Sequence, residues 1–359
     1  ITPQTGHKLN MIIIGSLVVA VVLLLVDRQF SDPATEPQET AAAISDTEKS
    51  IAVLPFVNMS SDAEQEFFSD GITEEILNSL ASEKSLKVAG RTSSFAFKGQ
   101  NDDLRRIGDA LGVAHILEGS VRKVGEQVRI TAQLIQVDDG FHLWSETYDR
   151  ELTDVFAIQD EIANEILKQL RSQLLDDEEH VVVEAKRTNP VVYDLYLRAK
   201  QRIYTRNSAE ITKAISELDK AIQLDPEYAP ALAQRGVATM LMSEQSYGDI
   251  PDDEANRRGK RYVDRALSLD ENLAEGLAAL GLYYFNEPGG EELAIEPLTR
   301  ALSINPNLID ASNWLFGALQ GVGDFKGSLE VLVDAAERDP LYRPAFANAI
   351  MQFNAYGMP

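Results

Sequence analysis

The chain has 359 residues, of which 33 are basic and 57 acidic, so its net charge is −24. Such acidity disfavours binding to nucleic acid, and because the chain has no cysteine it makes neither disulfides nor thiol sites. Hydrophobic residues make up 44% of the chain, enough for two domains of ordinary size.

The first predicted element is an uncharged apolar segment at residues 11–26, MIIIGSLVVAVVLLLV, which is preceded by a juxtamembrane flank at residues 1–10. Its length with the flanking residues suits a transmembrane helix. A core helix would show a polar face, and a cleaved secretion signal would need small residues after Val26, so we predict a membrane anchor. Lys8 is the only charged side chain before the span, which places the acidic remainder in the periplasm. Residues 27–49, rich in Pro, Glu, Ser and Thr, are expected to form a flexible stalk.

Residues 50–175 show the pattern of an α/β domain, in which short apolar runs alternate with amphipathic segments. The predicted strands are 51–56, 86–89, 115–124, 127–137 and 141–148, and the predicted helices begin at a Ser61–Glu64 capping box, near Asn101 and near Thr153. The last of these helices carries six aliphatic residues on one stripe, which suits it to cover a sheet. We therefore expect a mixed sheet with flanking helices, followed by a linker at residues 176–190.

The segment RTSSFAFKG at residues 91–99 combines two cations, three hydroxyls and a glycine, a composition that could cradle an anion. It lacks the spacing of a phosphate-binding P-loop. Phe95 and Phe97 alternate with small residues, which favours a strand edge packed on the core over a ligand site.

Several long segments of this region carry a family resemblance. They are SIAVLPFVNMSSDAEQEFFSDGITEEI, VAGRTSSFAFKG, LGVAHILEGSVRK and GFHLWSETYDREL. Together they resemble the TolB N-terminal-like domain, which is related to FlgO-like domains, across residues 50–175. The resemblance implies a bacterial membrane protein in which this domain precedes helical repeats. Relatives with both parts carry a cytoplasmic adenylate cyclase domain or a winged-helix DNA-binding domain upstream.

Residues 191–359 contain a repeat, seen as AIQLDP, ALSLDE, ALSINP and AAERDP at spacings of 45, 35 and 34 residues. A helical period near 34 predicts stacked helix pairs and resembles tetratricopeptide (TPR) repeats. Gly236 and Gly281 match the family's glycine ten residues after the proline position. We expect four pairs of an all-α TPR solenoid between about Val191 and Asp339, then an unpaired helix at 341–356, so that the last repeat is incomplete.

Arrays of helix pairs bind partners through the concave wall made by the first helix of each pair. The repeat register places on that wall Ala233, Val237, Glu275, Asn286, Asp310, Asn313 and Gln320. Because no cation is projected there, we expect the wall to bind a basic or apolar segment of another protein in the cell envelope.

The four histidines and the acidic loops form no recognisable catalytic or metal-binding spacing. We therefore expect no catalytic residue, metal or cofactor. The sequence predicts a non-enzymatic, protein-binding or sensory scaffold, anchored in the bacterial inner membrane with its folded part in the periplasm. Two alternatives stay open, the sensory C-terminal portion of a class III adenylate cyclase and that of a winged-helix one-component transcriptional regulator, each with its effector domain upstream.

Overall fold

The computed structural model describes residues 49–83, 85–100, 103–174, 188–243, 248 and 250–341. The predicted membrane span at 11–26, its flank at 1–10 and all but the last residue of the stalk lie outside these ranges. Most of the helix predicted at 341–356 does too. Within the described ranges, no helix combines the length and apolar character needed to cross a membrane.

The α/β region, residues 49–174, is built on a mixed sheet. The strands in its described part are β1 (Ser50–Val53), β2 (Val57–Asn58), β3 (Lys87–Val88), β4 (His115–Val124), β5 (Gln127–Gln136) and β6 (His142–Glu151). The strand order is β3-β1-β4-β5-β6, with β2 also paired to β4. β1 runs parallel to β3 and β4, whereas β4, β5 and β6 form the antiparallel meander that the sequence predicts. On β5 the alternating residues Val128, Ile130, Ala132 and Leu134 are all buried, as a period of two requires.

The helices of this region are α1 (Glu66–Ala81), α2 (Arg91–Phe95), α3 (Leu104–Leu111) and α4 (Val155–Leu174). α1 and α4 contact each other and the sheet, and the predicted stripe of Phe68, Ile72, Ile76 and Leu80 on α1 lies in the core. α3 ends at Gly112, whose φ of 64° is the left-handed conformation that glycine adopts without strain.

Three local predictions in this region are wrong. α1 begins at Glu66 after a 3-10 turn at Ala63–Gln65, so the Ser61–Glu64 capping box does not start it. α3 is capped by Asp103, which accepts a hydrogen bond from the Arg105 N–H, so the helix starts after Asn101. The segment at 91–99 forms α2 and a following turn instead of a strand edge. The prediction failed because the alternation of Phe95 and Phe97 is too short to distinguish a strand from a helical turn.

The helical region, residues 188–341, contains the four predicted helix pairs in its described part. They are α5 (Pro190–Tyr204) with α6 (Ser208–Leu224), α7 (Ala229–Leu241) with α8 (Asp252–Leu269), α9 (Ala274–Asn286) with α10 (Glu291–Ile304), and α11 (Ile309–Gly321) with α12 (Phe325–Arg338). Gly236 and Gly281 face Val263 and Leu298 of their partner helices, and a Cβ at either glycine would collide with these side chains. The repeat glycines therefore allow the paired helices to approach closely.

The two regions are packed together through α1 and α5. Gly71 of α1 faces Leu197 of α5, and a Cβ added at Gly71 would lie 2.7 Å from the Leu197 Cβ. This close approach puts the acidic residues of α1 next to the first helix of the helical region, and it builds the site described below.

Candidate functional site

A lysine is buried where α1, α5 and α9 meet. The Lys200 side chain is 1% exposed, and its Nζ lies 3.0 Å from Glu74 Oε1, 3.1 Å from Glu75 Oε1 and 3.6 Å from Glu275 Oε1. Glu74 and Glu75 belong to α1 of the α/β region, whereas Glu275 belongs to α9. These four residues, named here the buried ion cluster, therefore join the α/β region to two first helices of the helical region.

Burial and charge oppose each other in the buried ion cluster. Burial disfavours the charged ammonium of Lys200, but the carboxylates of Glu74 and Glu75 outweigh it and raise the pKa of Lys200 well above its ordinary value. Burial also disfavours ionisation of Glu74, yet Lys200 and Arg91 hold its pKa below the ordinary value. For Glu75, burial prevails over Lys200, and Glu275 adds repulsion, so its pKa is raised. The pKa values of these two adjacent glutamates are thus shifted in opposite directions.

The two cations of the 91–99 segment are held by α1. Arg91 Nε donates to Glu74 Oε2 at 2.9 Å, and its guanidinium lies 4.4 Å from the ring centroid of Tyr204 on α5. Lys98 Nζ donates to both carboxylate oxygens of Asp70 at 2.6 Å. The geometry agrees with the structural interpretation of this segment, because each cation already has a carboxylate partner within the protein.

A cavity of about 30 Å³ lies beside the buried ion cluster, on the concave side of the helix pairs. First helices of all four described pairs contribute to it, together with the residues just before α11. Its lining consists of Lys200, Ile203, Tyr204, Gln234, Val237, Glu275, Ala278, Leu308, Ile309, Asp310, Ala311 and Trp314. The first helices of the four described pairs therefore line a common cavity, which has space for about two water-sized groups.

The predicted wall residues are only partly brought together. Val237, Glu275 and Asp310 line the cavity. Ala233 is fully buried in a small core cluster with Leu232 and Ala266, so its assignment to the open wall is wrong. The other three lie outside the cavity lining: Asn286 is exposed and donates to Asn256 at 3.3 Å, while Asn313 and Gln320 are half-buried on α11.

The expectation that no cation lies on this wall is also wrong. Lys200 lies beside Glu275, and Arg206 Nη2 lies 2.6 Å from Asp310 Oδ2. Both cations come from α5 and the turn after it, which the register projection left out. One signal was available: Tyr196, Lys200 and Tyr204 recur every fourth residue, so a helix places Lys200 on an aromatic stripe. Gln234, the residue next to Ala233, also lines the cavity and lies outside the predicted set.

The far end of the helical region makes a second contact with the α/β region. Asp339, directly after α12, accepts hydrogen bonds from the Ser93 N–H at 2.6 Å and the Thr92 N–H at 3.2 Å. The Gly90 N–H donates to the Arg338 carbonyl at 2.6 Å. Between the two ends, Asn305 Nδ2 donates to Asn78 Oδ1 of α1 at 3.1 Å.

The described residues contain no group of His, Asp and Glu arranged to hold a metal ion. His115 is buried, with its Nδ1 3.1 Å from the Ser50 carbonyl oxygen, and His142 is exposed on β6.

Comparisons with known proteins give two sequence relationships. Residues 47–165 match the family model described as the second domain of HilA/YgeH-like transcriptional regulators. A protein of Rhizobium meliloti (strain 1021) named putative adenylate cyclase 3 is 38% identical over 255 residues, which cover 70% of this chain and 43% of that protein. The chain thus spans less than half the length of this relative. The TolB-like and FlgO-like resemblance is not confirmed by these comparisons.

The solved structures that are similar to this chain include the following two. A double mutant of MamA shares 16% identity, with 52% of this chain and 88% of that chain covered and a TM-score of 0.30. A lipoprotein from Neisseria meningitidis shares 19% identity, with 35% and 99% covered and a TM-score of 0.26. Both TM-scores are low, so the fold described above rests on this chain's own strands and helices.

Proposed function

We propose that this chain is a regulatory, protein-binding portion of a bacterial signalling protein, without a catalytic role of its own. In this proposal the concave wall of the helical region receives a partner and the α/β region responds. The observation that carries the proposal is the position of Lys200. One buried ammonium contacts carboxylates of α1 and of α9, so an event on the concave wall acts on the α/β region through direct contacts.

The chemistry of the wall favours a basic or apolar partner segment. The carboxylate of Glu275, whose contact with Lys200 is 3.6 Å long, stands among apolar residues such as Val237 and Ala278, whereas Asp310 is paired with Arg206. The chain's net charge of −24 would also steer a basic segment toward it, and this steering would weaken with salt.

A second candidate is the regulatory portion of an adenylate cyclase or of a transcriptional regulator. The relative named adenylate cyclase favours the first, and the regulator family model over residues 47–165 favours the second. A regulatory role is compatible with both names, since a module that binds and responds can be joined to different effectors. We further propose that residues 11–26 anchor the protein in the inner membrane with the folded part in the periplasm.

Site-specific photocrosslinking in cells tests the concave wall. A photoreactive residue at Gln320 or Asn286, on first helices α11 and α9, is expected to capture a partner. The matched position Leu293, which is 60% exposed on the second helix α10, is expected to capture less. Equal capture at all three positions would contradict binding through the wall. Spheroplasts of the same cells test the location, because added protease should digest the folded part without lysis; protection until lysis would reverse the orientation.

A further inference from the structure

Two polar side chains in the concave cavity have no hydrogen-bond partner within the described part of the chain. Gln234 is 9% exposed, and among the described residues nothing hydrogen-bonds to its amide. The Glu275 carboxylate likewise accepts no hydrogen bond within the described part of the chain, and its ion contact with Lys200 is the longest in the buried ion cluster at 3.6 Å. Both side chains line the cavity and therefore present polar atoms that a group entering it can bind.

The charges around the cavity leave one carboxylate in excess. Glu74, Glu75 and Glu275 carry three negative charges when ionised, against the two positive charges of Lys200 and Arg91. Lys200 Nζ lies closer to Glu74 and Glu75, and Arg91 pairs with Glu74, so Glu275 has the longest cation contact of the three carboxylates. A ligand with a single positive charge would complete the cluster.

The remaining walls fix the size and shape of that ligand. Space for about two water-sized groups accommodates an ammonium and the carbon that carries it, whereas a planar guanidinium is larger. Ile203, Val237 and Ala278 offer apolar contact for an alkyl stem, and Trp314 offers an aromatic ring that attracts a cation. An ammonium also brings donors only, which suits the acceptor oxygens of Glu275 and Gln234.

We propose that this cavity binds a primary ammonium group, either the end of a lysine side chain from a partner segment or a free alkyl amine. This inference rests on the proposed function and deepens it, because it names the group that the concave wall recognises. Glu275 supplies the charge, Gln234 the amide oxygen and Trp314 the ring.

The chain offers a direct reporter for the test. It has two tryptophans, and changing Trp144 of β6 to Phe leaves Trp314 in the cavity as the only one. In the full chain with this substitution, n-butylamine hydrochloride is expected to change tryptophan fluorescence in a saturable way. n-Butanol, which has the same stem without the charge, should not.

Variants separate the site from general electrostatics. Glu275→Gln keeps the shape and removes the charge, and we expect at least about tenfold weaker binding of n-butylamine. Gln234→Leu should also weaken it. Glu292→Gln, at an exposed position on α10, removes the same net charge and should leave the binding unchanged. Circular dichroism of each variant checks that it is folded.

Titration with a second ligand distinguishes a lysine side chain of a partner from a free amine as the source of the ammonium group. A blocked tripeptide with a central lysine is titrated beside n-butylamine; binding of the peptide that requires Glu275 supports a partner's lysine, and binding of n-butylamine alone supports a free amine. The proposal is overturned if neither ligand saturates, if n-butanol binds equally well, or if Glu275→Gln binds like the parent. Photocrosslinking at Gln320 and Asn286 could still succeed in that case, so the proposed protein-binding function would stand or fall separately.

Discussion

At the first helix pair the helical region contacts the α/β region through a buried ammonium held among carboxylates, whereas at its far end a single buried carboxylate, that of Asp339, accepts hydrogen bonds from backbone amides. Lys200 of α5 is 1% exposed and contacts Glu74 and Glu75 of α1. Asp339, after α12, accepts from the Ser93 N–H, and the Arg338 carbonyl accepts from the Gly90 N–H. Both ends bury polar groups, but only the first buries an ammonium.

The two kinds of contact differ in what their loss would do. A buried charge left without its partner is strongly destabilising, so the first contact has to stay complete for the fold to persist. A lost hydrogen bond between the Asp339 carboxylate and a backbone amide costs less, and water partly replaces it when the segment opens. We therefore expect the α1–α5 contact to act as a fixed joint and the contact at Asp339 to open at a lower free energy.

The largest effect is expected from removing the buried ammonium. Lys200→Met keeps an unbranched side chain of similar length but leaves Glu74 and Glu75 without their main cation, and we expect the free energy of unfolding to fall by about 3–5 kcal/mol. Urea unfolding of the full chain measures this loss. Lys213→Met is the control, since that lysine is 59% exposed and its pair with Glu210 is worth about 1 kcal/mol or less. A similar small loss in both variants would show that the buried ion cluster does not hold the regions together.

A smaller and more local effect is expected at the far end. Asp339→Ala removes the acceptor of the Thr92 and Ser93 amides, and we expect a loss of about 1–3 kcal/mol. Hydrogen exchange should show faster exchange of these two amides while α1 stays protected. Asp334→Ala, at a residue 58% exposed on α12, controls for the loss of a carboxylate. Loss of protection throughout α1 would mean that the two contacts open together and that the contrast between them is false.

The sequence predicts local structure better than it predicts these contacts. Repeated segments such as AIQLDP mark the helix pairs because every pair buries the same small and aliphatic positions, and alternation marks β5 because one face of the sheet is buried. Those signals are local. The partner of Arg91 on α5, Gln201, is 110 residues away, and Asp339 lies 246 residues from Ser93. Neither pairing leaves a periodic pattern, so the short alternation at 91–99 predicts a strand edge where the structure has α2.

The same limit applies to the candidate site. The register identified Val237, Glu275 and Asp310 because their positions follow from the repeat. It could not show that Lys200 is buried, since the carboxylates that make burial of an ammonium tolerable come from α1, far away in sequence. Lysine is usually exposed, so the burial of Lys200 could be predicted only if its carboxylate partners were known.

The smallest expected effect concerns the sign of a pH dependence within the first contact. The pKa of Glu74 is lowered, so its contribution to stability is present above the ordinary value of 4.5 and is lost as the pH falls through the folded-state value. The pKa of Glu75 is raised, so its contribution is present below 4.5 and is lost as the pH rises through the folded-state value. At about pH 7, Glu74→Gln should therefore lower the free energy of unfolding and Glu75→Gln should raise it. The difference for Glu75→Gln should shrink toward about pH 4, because the Glu75 carboxyl then approaches the neutral form that glutamine mimics, whereas the difference for Glu74→Gln should persist to lower pH because the folded-state pKa of Glu74 is lower. Urea unfolding at the two pH values measures the signs, and equal losses in both variants at about pH 7 would show that Lys200 stabilises the two carboxylates alike.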